Sequence, residues 1–442
     1  MSRLNIGIIG AGALGLAAGF YLTRSGNRVT ICEAAPFLGG QASTFLIGGT
    51  PIERGYHHLF KSDTYMRQLL DELGLAQQLK WIESKVGIYA DGRIWNFSTP
   101  FDLLAFKPLS LLNRIRLGLV VKYLQHAKGK DPFESITASN WIQKYAGSQA
   151  HDLVIGPLLK GKFGKYANEI SMAWLWNKFA LRTTSRDKTG YKELLGYPMG
   201  SFGQIFTKVS EQIQEAGGEV RLSTPVQEIT VSDGRASGLR VKNKDGADCL
   251  LEFDAIIATV PSYLMPKLVP TLDKHYSTFL TKVDYLAAVL LILVLDRPLT
   301  SYYWINVADR RMPFLGIVEH TNFISPEQYE GNHIVYITNY LDVDSDLYTM
   351  DKESLLETYK PFLHKFNPDF DLSWVRSVHH HKINAAQPII TTNYSDKIPG
   401  FKTPIDGLFL ANTTQIYPED RGTNYSVRLG KDLATLISRK YN

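Results

Sequence analysis

Three glycines, Gly10, Gly12 and Gly15, stand at the spacing G-x-G-x-x-G, and their surroundings leave few folds open. Before them, Asn5 to Ile9 runs into a short apolar stretch of the buried-strand type. After them, Leu14, Leu16, Ala17, Ala18, Phe20, Tyr21 and Leu22 recur at helical spacing. Gly26 ends that helix, and Val29-Thr30-Ile31 forms a second strand that finishes at Glu33. Each glycine has a physical task. Gly10 permits a tight turn, Gly12 lets the backbone approach a pyrophosphate, and Gly15 lets helix and strand pack closely. The turn Gly10-Ala11-Gly12-Ala13-Leu14-Gly15 then presents a helix N-terminus, with free N–H groups and a partial positive charge, to the phosphates. Glu33, about 20 residues on, is placed to accept hydrogen bonds from ribose hydroxyls and to disfavour a 2′-phosphate. The unit predicts a dinucleotide site and an α/β chain built on a Rossmann-like domain.

With 442 residues the chain suits two domains of roughly 100–200 residues each. Apolar types at 44% and charged types at 21% supply a globular core and exclude wholesale disorder. A formal net charge of +5 is too thin to argue for nucleic acid. The 23 Tyr, 21 Phe and 7 Trp suit a protein that encloses a flat or apolar ligand, and equally one that fills its own core. Two cysteines, Cys32 and Cys249, exclude a disulfide framework and any Cys-rich metal site. The opening residues lack a signal-peptide pattern, and the longest apolar run, Tyr285 to Leu295, is too short to span a bilayer. The expected location is the cytoplasm, with peripheral membrane contact left open.

The stretch after Glu33 continues through Ala34 to Gly39-Gly40-Gln41-Ala42. This second glycine pair resembles the flavin amine oxidase, protoporphyrinogen oxidase and phytoene desaturase superfamily. The resemblance implies FAD rather than NAD, with the pair passing close to the FAD ribose and pyrophosphate. The family usually carries Arg or Lys where this chain has Gln41. Gly55, His57, Phe60 and Ser62 resemble a segment that these flavoproteins, and the UDP-galactopyranose mutases, lay beside the isoalloxazine ring. There His57 would donate to the flavin or steer a proton, and His58 is the weaker candidate. Asp63 is placed to cap a helix running to about Leu73.

Two later stretches extend the resemblance. Gly196 to Gly203 precedes a helical pattern from Gln204 to Ala216, a strand pair with a turn at Asp233-Gly234, and a buried strand that ends at Pro261. By resemblance Val226 meets the adenine through its backbone, and Thr259, Val260 and Pro261 line the nucleotide cleft. Gly407 to Asn412 reads as a strand, followed by a turn and a last helix carrying Val427, Leu429, Leu433, Ala434 and Ile437. The family aims that helix at the flavin pyrimidine, which makes Gly422, Thr423 and Asn424 candidates. Many relatives have Asp where this chain has Asn412, whose amide can still bond a ribitol hydroxyl or phosphate.

On this pattern residues 1–95, 196–264 and 386–442 form a discontinuous FAD-binding domain of the glutathione-reductase type. Residues 96–195 and 265–385 form an α+β substrate domain. Phe101 to Leu124 has apolar positions at helical spacing with Lys107, Arg114, Arg116 and Lys122 among them. It reads as a helix packed on its own domain, or as a membrane-surface helix. Lys160 and Lys162 read as solvated surface lysines or as attractors of an anionic substrate. Trp174 and Trp176 read as packing. Glu319, His320 and Asn322 end a strand with a polar cluster, and Tyr340 ends the next, so the first three are catalytic candidates beside His57. Amine oxidases usually carry a Lys in this sheet, and Tyr285-Leu-Ala-Ala-Val-Leu has none. His379-His380-His381 does not predict a metal site, because side chains alternate along a strand.

The resemblance implies an FAD-dependent oxidoreductase that moves a hydride from a small-molecule substrate, of an apolar or aromatic kind, to flavin N5. Noncovalent FAD is expected, since neither cysteine lies in a family attachment segment. Two alternatives stay open: a redox-neutral mutase resembling UDP-galactopyranose mutase, and a non-catalytic flavin-fold protein. Oligomeric state is open.

Overall fold

The computed structural model describes residues 3–182, 185, 192–242 and 246–441. The opening unit forms strand Asn5–Ile9, helix Ala13–Arg24 and strand Arg28–Cys32. Gly12 is the N-cap of that helix, and no side chain caps it. Its first N–H groups are therefore available to an outside acceptor.

Five parallel strands build the central sheet, in the order Leu408–Leu410, Ala255–Ala258, Asn5–Ile9, Arg28–Cys32, Glu219–Arg221. Ile8 lies beside Ile31 on one side and Ile257 on the other. The start, middle and end of the chain thus meet in one sheet, and their following loops share its carboxyl end, where such sheets bind ligands. Helix Thr423–Tyr441 runs against helix Ala13–Arg24. A Cβ at Gly430 would stand 2.7 Å from the Leu14 carbonyl oxygen and 2.9 Å from Ala17 Cβ, so only glycine allows this approach. An antiparallel sheet of Val226–Ser232, Arg235–Lys242 and Asp248–Glu252 flanks the central one, turning at Asp233 (φ 50°) and Gly234 (φ 75°).

A second sheet has seven strands, in the order Val375–Pro388, Tyr285–Leu295, His333–Leu341, Gly316–Glu319, Trp304–Val307, Val86–Ala90, Arg93–Asn96. Tyr285–Leu295 is paired on both edges, which explains its unbroken apolar run. Its Ala288, Leu290, Ile292 and Val294 join the core shared with the opening unit. Val289, Leu291 and Leu293 pack on the other face, against Leu355, Tyr359 and Leu363. His379 and His381 both contact the Phe45 ring, tilted and edge-on, at 4.9 and 4.8 Å between ring centroids, while His380 feels Asp351 and Glu353. Alternation separates the three. Among the described residues no group of three or more His, Cys, Asp or Glu converges as a metal site.

Helices Pro100–Ala105, Leu111–His126, Ala138–Ala146, Gly156–Phe163 and Met172–Arg182 form a third body, with Phe106, Leu117, Leu124, Ile142, Phe163 and Trp174 in its core. Helix Leu111–His126 is apolar on two sides. Leu117, Val120 and Leu124 are buried, whereas Leu111, Leu112, Ile115, Leu119 and Tyr123 are exposed. Among the described residues no helix is long and apolar enough to cross a membrane.

Candidate cofactor cleft and active site

The glycine turn is a cradle with no room for side chains. Gly10 has φ +104°, and a Cβ there would meet Thr259 Oγ1 at 2.6 Å. A Cβ on Gly15 would lie 2.0 Å from the Gly10 carbonyl oxygen. Gly12 bridges to Gly39, whose N–H donates to the Ala11 carbonyl at 2.9 Å. Gly40, at φ +56°, brings its backbone so close that a Cβ would touch Gly12 Cα at 3.1 Å. The two glycine turns thus stack backbone on backbone. Glu33 accepts from the Ala11 N–H (2.7 Å) and the Ala35 N–H (2.8 Å), which aims its carboxylate back at the turn. Ala34 and Gly40 stay exposed, and Ala42 is buried.

The middle segment is tied to the same place. The Thr224 N–H donates to the Glu33 carbonyl and the Ser223 N–H to the Ala35 carbonyl, which leads the chain to Val226 beside the acid. Thr259 Oγ1 donates to the Ile9 carbonyl at 2.7 Å. Thr259, Val260 and Pro261 keep partial exposure at the strand's end, as cleft-lining residues do.

The closing segment is brought in by side-chain clips. Asn412 is buried, and its amide donates to the Val260 carbonyl (2.8 Å) and Ser262 Oγ (3.0 Å) while its oxygen caps Thr414. Its carboxamide is committed to joining two strand ends. Asn424 accepts from the N–H groups of Tyr65 and Met66, at 2.9 and 3.0 Å. It caps helix Thr64–Glu72, the task expected of Asp63, whose carboxylate turns instead to the Phe60 N–H. Thr423 is buried beside it, and Gly422 is partly open.

His57 lies deep yet keeps accessible surface, as a group lining an internal cleft does. Burial pushes its pKa down to about 4, with the Gly55 carbonyl opposing and Arg421 assisting. The ring is neutral at pH 7. Since a carbonyl can only accept, Nδ1–H donates to Gly55 O (2.5 Å), and Nε2 is left as an acceptor.

The strand-end trio sits elsewhere. Glu319 is fully buried and accepts from the N–H groups of Leu299 and Thr300 and from Thr300 Oγ1. Asn322 donates to the carbonyls of Thr300 and Tyr302, and His320 Nε2 meets Tyr329 OH at 2.8 Å. Burial pushes Glu319 up to about 7 and His320 down to about 3. Glu319 and Asn322 brace the turn from Leu299 to Tyr302, and His320 is tied to Tyr329, so the arrangement supports a structural use for all three.

Another group faces the cleft. Arg421 donates to Gln41 Oε1 (3.0 Å), Gln387 Oε1 (3.1 Å) and Tyr340 OH (2.9 Å). Gln41, where the family pattern has a cation, is thus served by a cation from the opposite end of the chain. The neighbouring Asp420 is gripped by Lys162 (2.7 Å), Lys178 (2.9 Å) and the Trp174 indole N–H (3.2 Å). Burial pushes its carboxyl up, but the two ammonium groups outweigh this and hold it well below the usual carboxylate range. Tyr56 completes the wall, edge-on to Trp304 at 4.7 Å and beside Tyr340. Of these, sequence reasoning had named Gln41, Lys162, Trp174 and Tyr340, the last two for packing and for a strand end. Asp420 and Arg421 directly precede the candidate Gly422, a position that was a usable signal.

A parallel dinucleotide sheet, a double glycine turn and a second sheet closing an aromatic cleft define an FAD-dependent oxidoreductase of the Rossmann type. The chain belongs to the flavin containing amine oxidoreductase family, which it matches over residues 15–418. It is 25% identical to a 15-cis-phytoene desaturase of Glycine max, over 93% of this chain and 75% of that protein. Its fold is similar to a crystal structure provisionally named a protoporphyrinogen oxidase, from Exiguobacterium (TM-score 0.77, 18% identity, all of both chains). It is also similar to a reduced UDP-galactopyranose mutase (TM-score 0.73, 18% identity, 98% of this chain and 95% of that one).

Proposed function

We propose that this flavoprotein oxidises a small organic molecule of apolar or aromatic character, with FAD held noncovalently. The observation that carries the reading is the cradle itself: two stacked glycine turns, an uncapped helix N-terminus and Glu33 at the carboxyl ends of one sheet. The N–H groups of Ala13 and Leu14 and the backbone of Gly40 hold the pyrophosphate, while Ala11, Gly39 and Ala42 shape the turns through bonds of their own. Glu33 takes the ribose, and the backbone of Val226 the adenine. Thr259, Val260 and Pro261 shape the cleft wall. Gly422, Thr423 and Asn424 turn a helix N-terminus to the flavin end, where it favours negative charge. Asn412 serves by fixing Val260. When bound, FAD supplies hydride acceptance at N5. His57, neutral with Nε2 as acceptor, takes a proton or orients a donor. In this reading residues 1–95, 196–264 and 386–442 serve the cofactor, and 96–195 and 265–385 the substrate.

The test is anaerobic reduction of the purified protein by candidate substrates, followed in the flavin bands. Bleaching by a substrate, with recovery on adding an acceptor, supports the reading. Protein that neither carries FAD nor takes it up ends it. Turnover that needs prior reduction and consumes no acceptor would show a mutase instead.

The exposed face of helix Leu111–His126 favours a second element of the reading, a peripheral station on an anionic membrane. Leu112 (75% exposed) and Leu119 (64%) lie on one stripe with Leu111, Ile115 and Tyr123, and Phe101 extends it onto the preceding helix. Lys107, Lys122 and Lys128 are exposed in the same stretch. An apolar stripe with a basic rim matches the boundary between anionic headgroups and acyl chains.

A further inference from the structure

Strand Val375–Pro388 does not pair evenly with Tyr285–Leu295. Ile383 faces Ala288 and Gln387 faces Leu286, so residues 384–386 stand opposite the single Ala287. Extra residues of this kind break the ladder and re-aim the chain. The bulge turns two groups toward the cofactor turns. The Ala385 carbonyl accepts from Gln41 Nε2 at 2.9 Å, and the buried Gln387 offers its Oε1 to Arg421 Nε at 3.1 Å. Arg421 completes the tie: Nη1 donates to Gln41 Oε1 (3.0 Å) and Nη2 to Tyr340 OH (2.9 Å). Tyr340 faces Ala288 from the other edge of the same central strand. Both ends of the Gln41 carboxamide are thus engaged, one by the bulge directly and one through Arg421.

A single guanidinium joins segments far apart in the chain: the second glycine turn, the turn before helix Thr423–Tyr441, and two strands of the second sheet. Its three acceptors are neutral, so these bonds orient the groups rather than cancel charge. Acceptors in three directions suit a planar fork with N–H groups on three nitrogens, whereas an ammonium offers all its protons from one atom. The tie lies next to the cofactor cradle and the His57 segment. Gly40, which presses on Gly12, directly precedes Gln41, and Tyr340 lies beside Tyr56, which directly precedes His57.

We propose that Arg421 is a positioning residue for the cofactor: through Gln41 it fixes the Gly39–Gly40 turn to the bulge of the second sheet, so that the pyrophosphate turn and the His57 segment are held in one frame. This rests on the flavin-oxidoreductase reading and deepens it. Arg421 acts through Gln41, Gln387 and Tyr340, not by touching the reacting atoms.

The test begins with FAD titrations of Gln41→Ala, Arg421→Met and the double variant. Each single change should weaken FAD by about tenfold, the usual weight of a hydrogen bond to a charged group. Because both remove the same tie, the double variant should lie within about threefold of the weaker single, rather than at roughly a hundredfold loss. Hydrogen exchange of the flavin-loaded proteins separates positioning from general loosening. Arg421→Met should speed exchange at 39–42 and 384–387, while strands 5–9 and 28–32 keep the parent's protection. Arg421→Lys keeps the charge without the fork and should behave as Arg421→Met does. The proposal is overturned if the single losses multiply, if faster exchange spreads through the whole chain, or if Arg421→Lys keeps the parent's affinity and protection. Gln41→Ala changes a partly exposed side chain and carries the test alone should the Arg421 variants not fold. Faster exchange at 384–387 as well as at its own turn supports the tie, and a change confined to 39–42 refutes it. A parent that takes up no FAD would end the oxidoreductase reading itself, whereas loaded variants that match the parent would end this proposal only.

Discussion

Glu53 has no exposed surface. Its carboxylate accepts from Tyr197 OH (3.0 Å) and the Phe202 N–H (2.7 Å), and Tyr336 donates to its carbonyl (2.6 Å). Burial still pushes its pKa up to about 7, against those bonds. The sign follows. Protonated Glu53 contributes stability that is fully present below its unfolded value near 4.5 and is lost as pH rises through 7. His57 and His320 act the other way: their neutral forms contribute stability above 6.5 that is lost as pH falls through about 4 and about 3. Replacing Glu53 with Gln removes one acid from this balance. The stability of Glu53→Gln relative to the parent should rise by on the order of 3 kcal/mol between pH 4.5 and 7.5. Denaturant melts at several pH values measure it, and a difference flat in pH would refute the assignment. Gly15→Ala belongs to the same scale. Its Cβ must displace the Gly10 carbonyl from 2.0 Å, so the phosphate turn opens. FAD uptake should fall by at least about tenfold in an equilibrium titration, with a stability loss on the order of 2–4 kcal/mol.

At the scale of elements, legibility followed whether a local pattern carried the whole signal. The glycine turn, helix Gly203–Glu215 and strand Tyr285–Leu295 were readable because spacing, breakers and apolar runs lie within one window. The candidate site divides along the same line. Gly39, Gly40 and Glu33 announce themselves, while the capping of helix Thr64–Glu72 by Asn424 joins positions no window contains. Asp420 gains meaning only from partners on distant helices, and Arg421 from Gln41 near the start of the chain and from Tyr340 and Gln387 on two strands of the second sheet. Helix Leu111–His126 shows a limit of another kind. Apolar residues on both sides cancel the periodicity, so the pattern could not choose between a packed and a membrane-facing helix. The structure shows one face of each sort. Replacing Leu112 and Leu119 with Glu touches only the exposed face. The parent should co-sediment with phosphatidylglycerol-containing vesicles and release at high salt, and Leu112→Glu/Leu119→Glu should stay in solution with its melting temperature unchanged. Equal sedimentation of both proteins would exclude the bilayer, and a concentration-dependent dimer lost in the variant would name a second copy as the occupant.

Across the whole molecule, the fold is a device for closing one site from both chain ends. Strand Leu408–Leu410 reaches the sheet of the opening glycines through Ala255–Ala258, Gly430 presses on Leu14, and Asn424 caps a helix from the first eighty residues. Each contact spans most of the chain, so the segments that would meet the cofactor are held by long-range packing rather than by local stiffness. Packing of this kind leaves the turns themselves less protected than the strands behind them. Cofactor binding must then act as a clasp. At a hundredfold excess over its dissociation constant, FAD should add about 2.7 kcal/mol to unfolding and raise the melting temperature by a few degrees. Hydrogen exchange separates a clasp from a local grip. If all three segments hold one ligand, FAD should slow exchange together at 10–15, 39–42, 224–226 and 421–425, although the last two lie hundreds of residues from the first. Slowing confined to the first sixty residues would mean that the opening unit binds alone, and that the closing helix stands nearby for packing only.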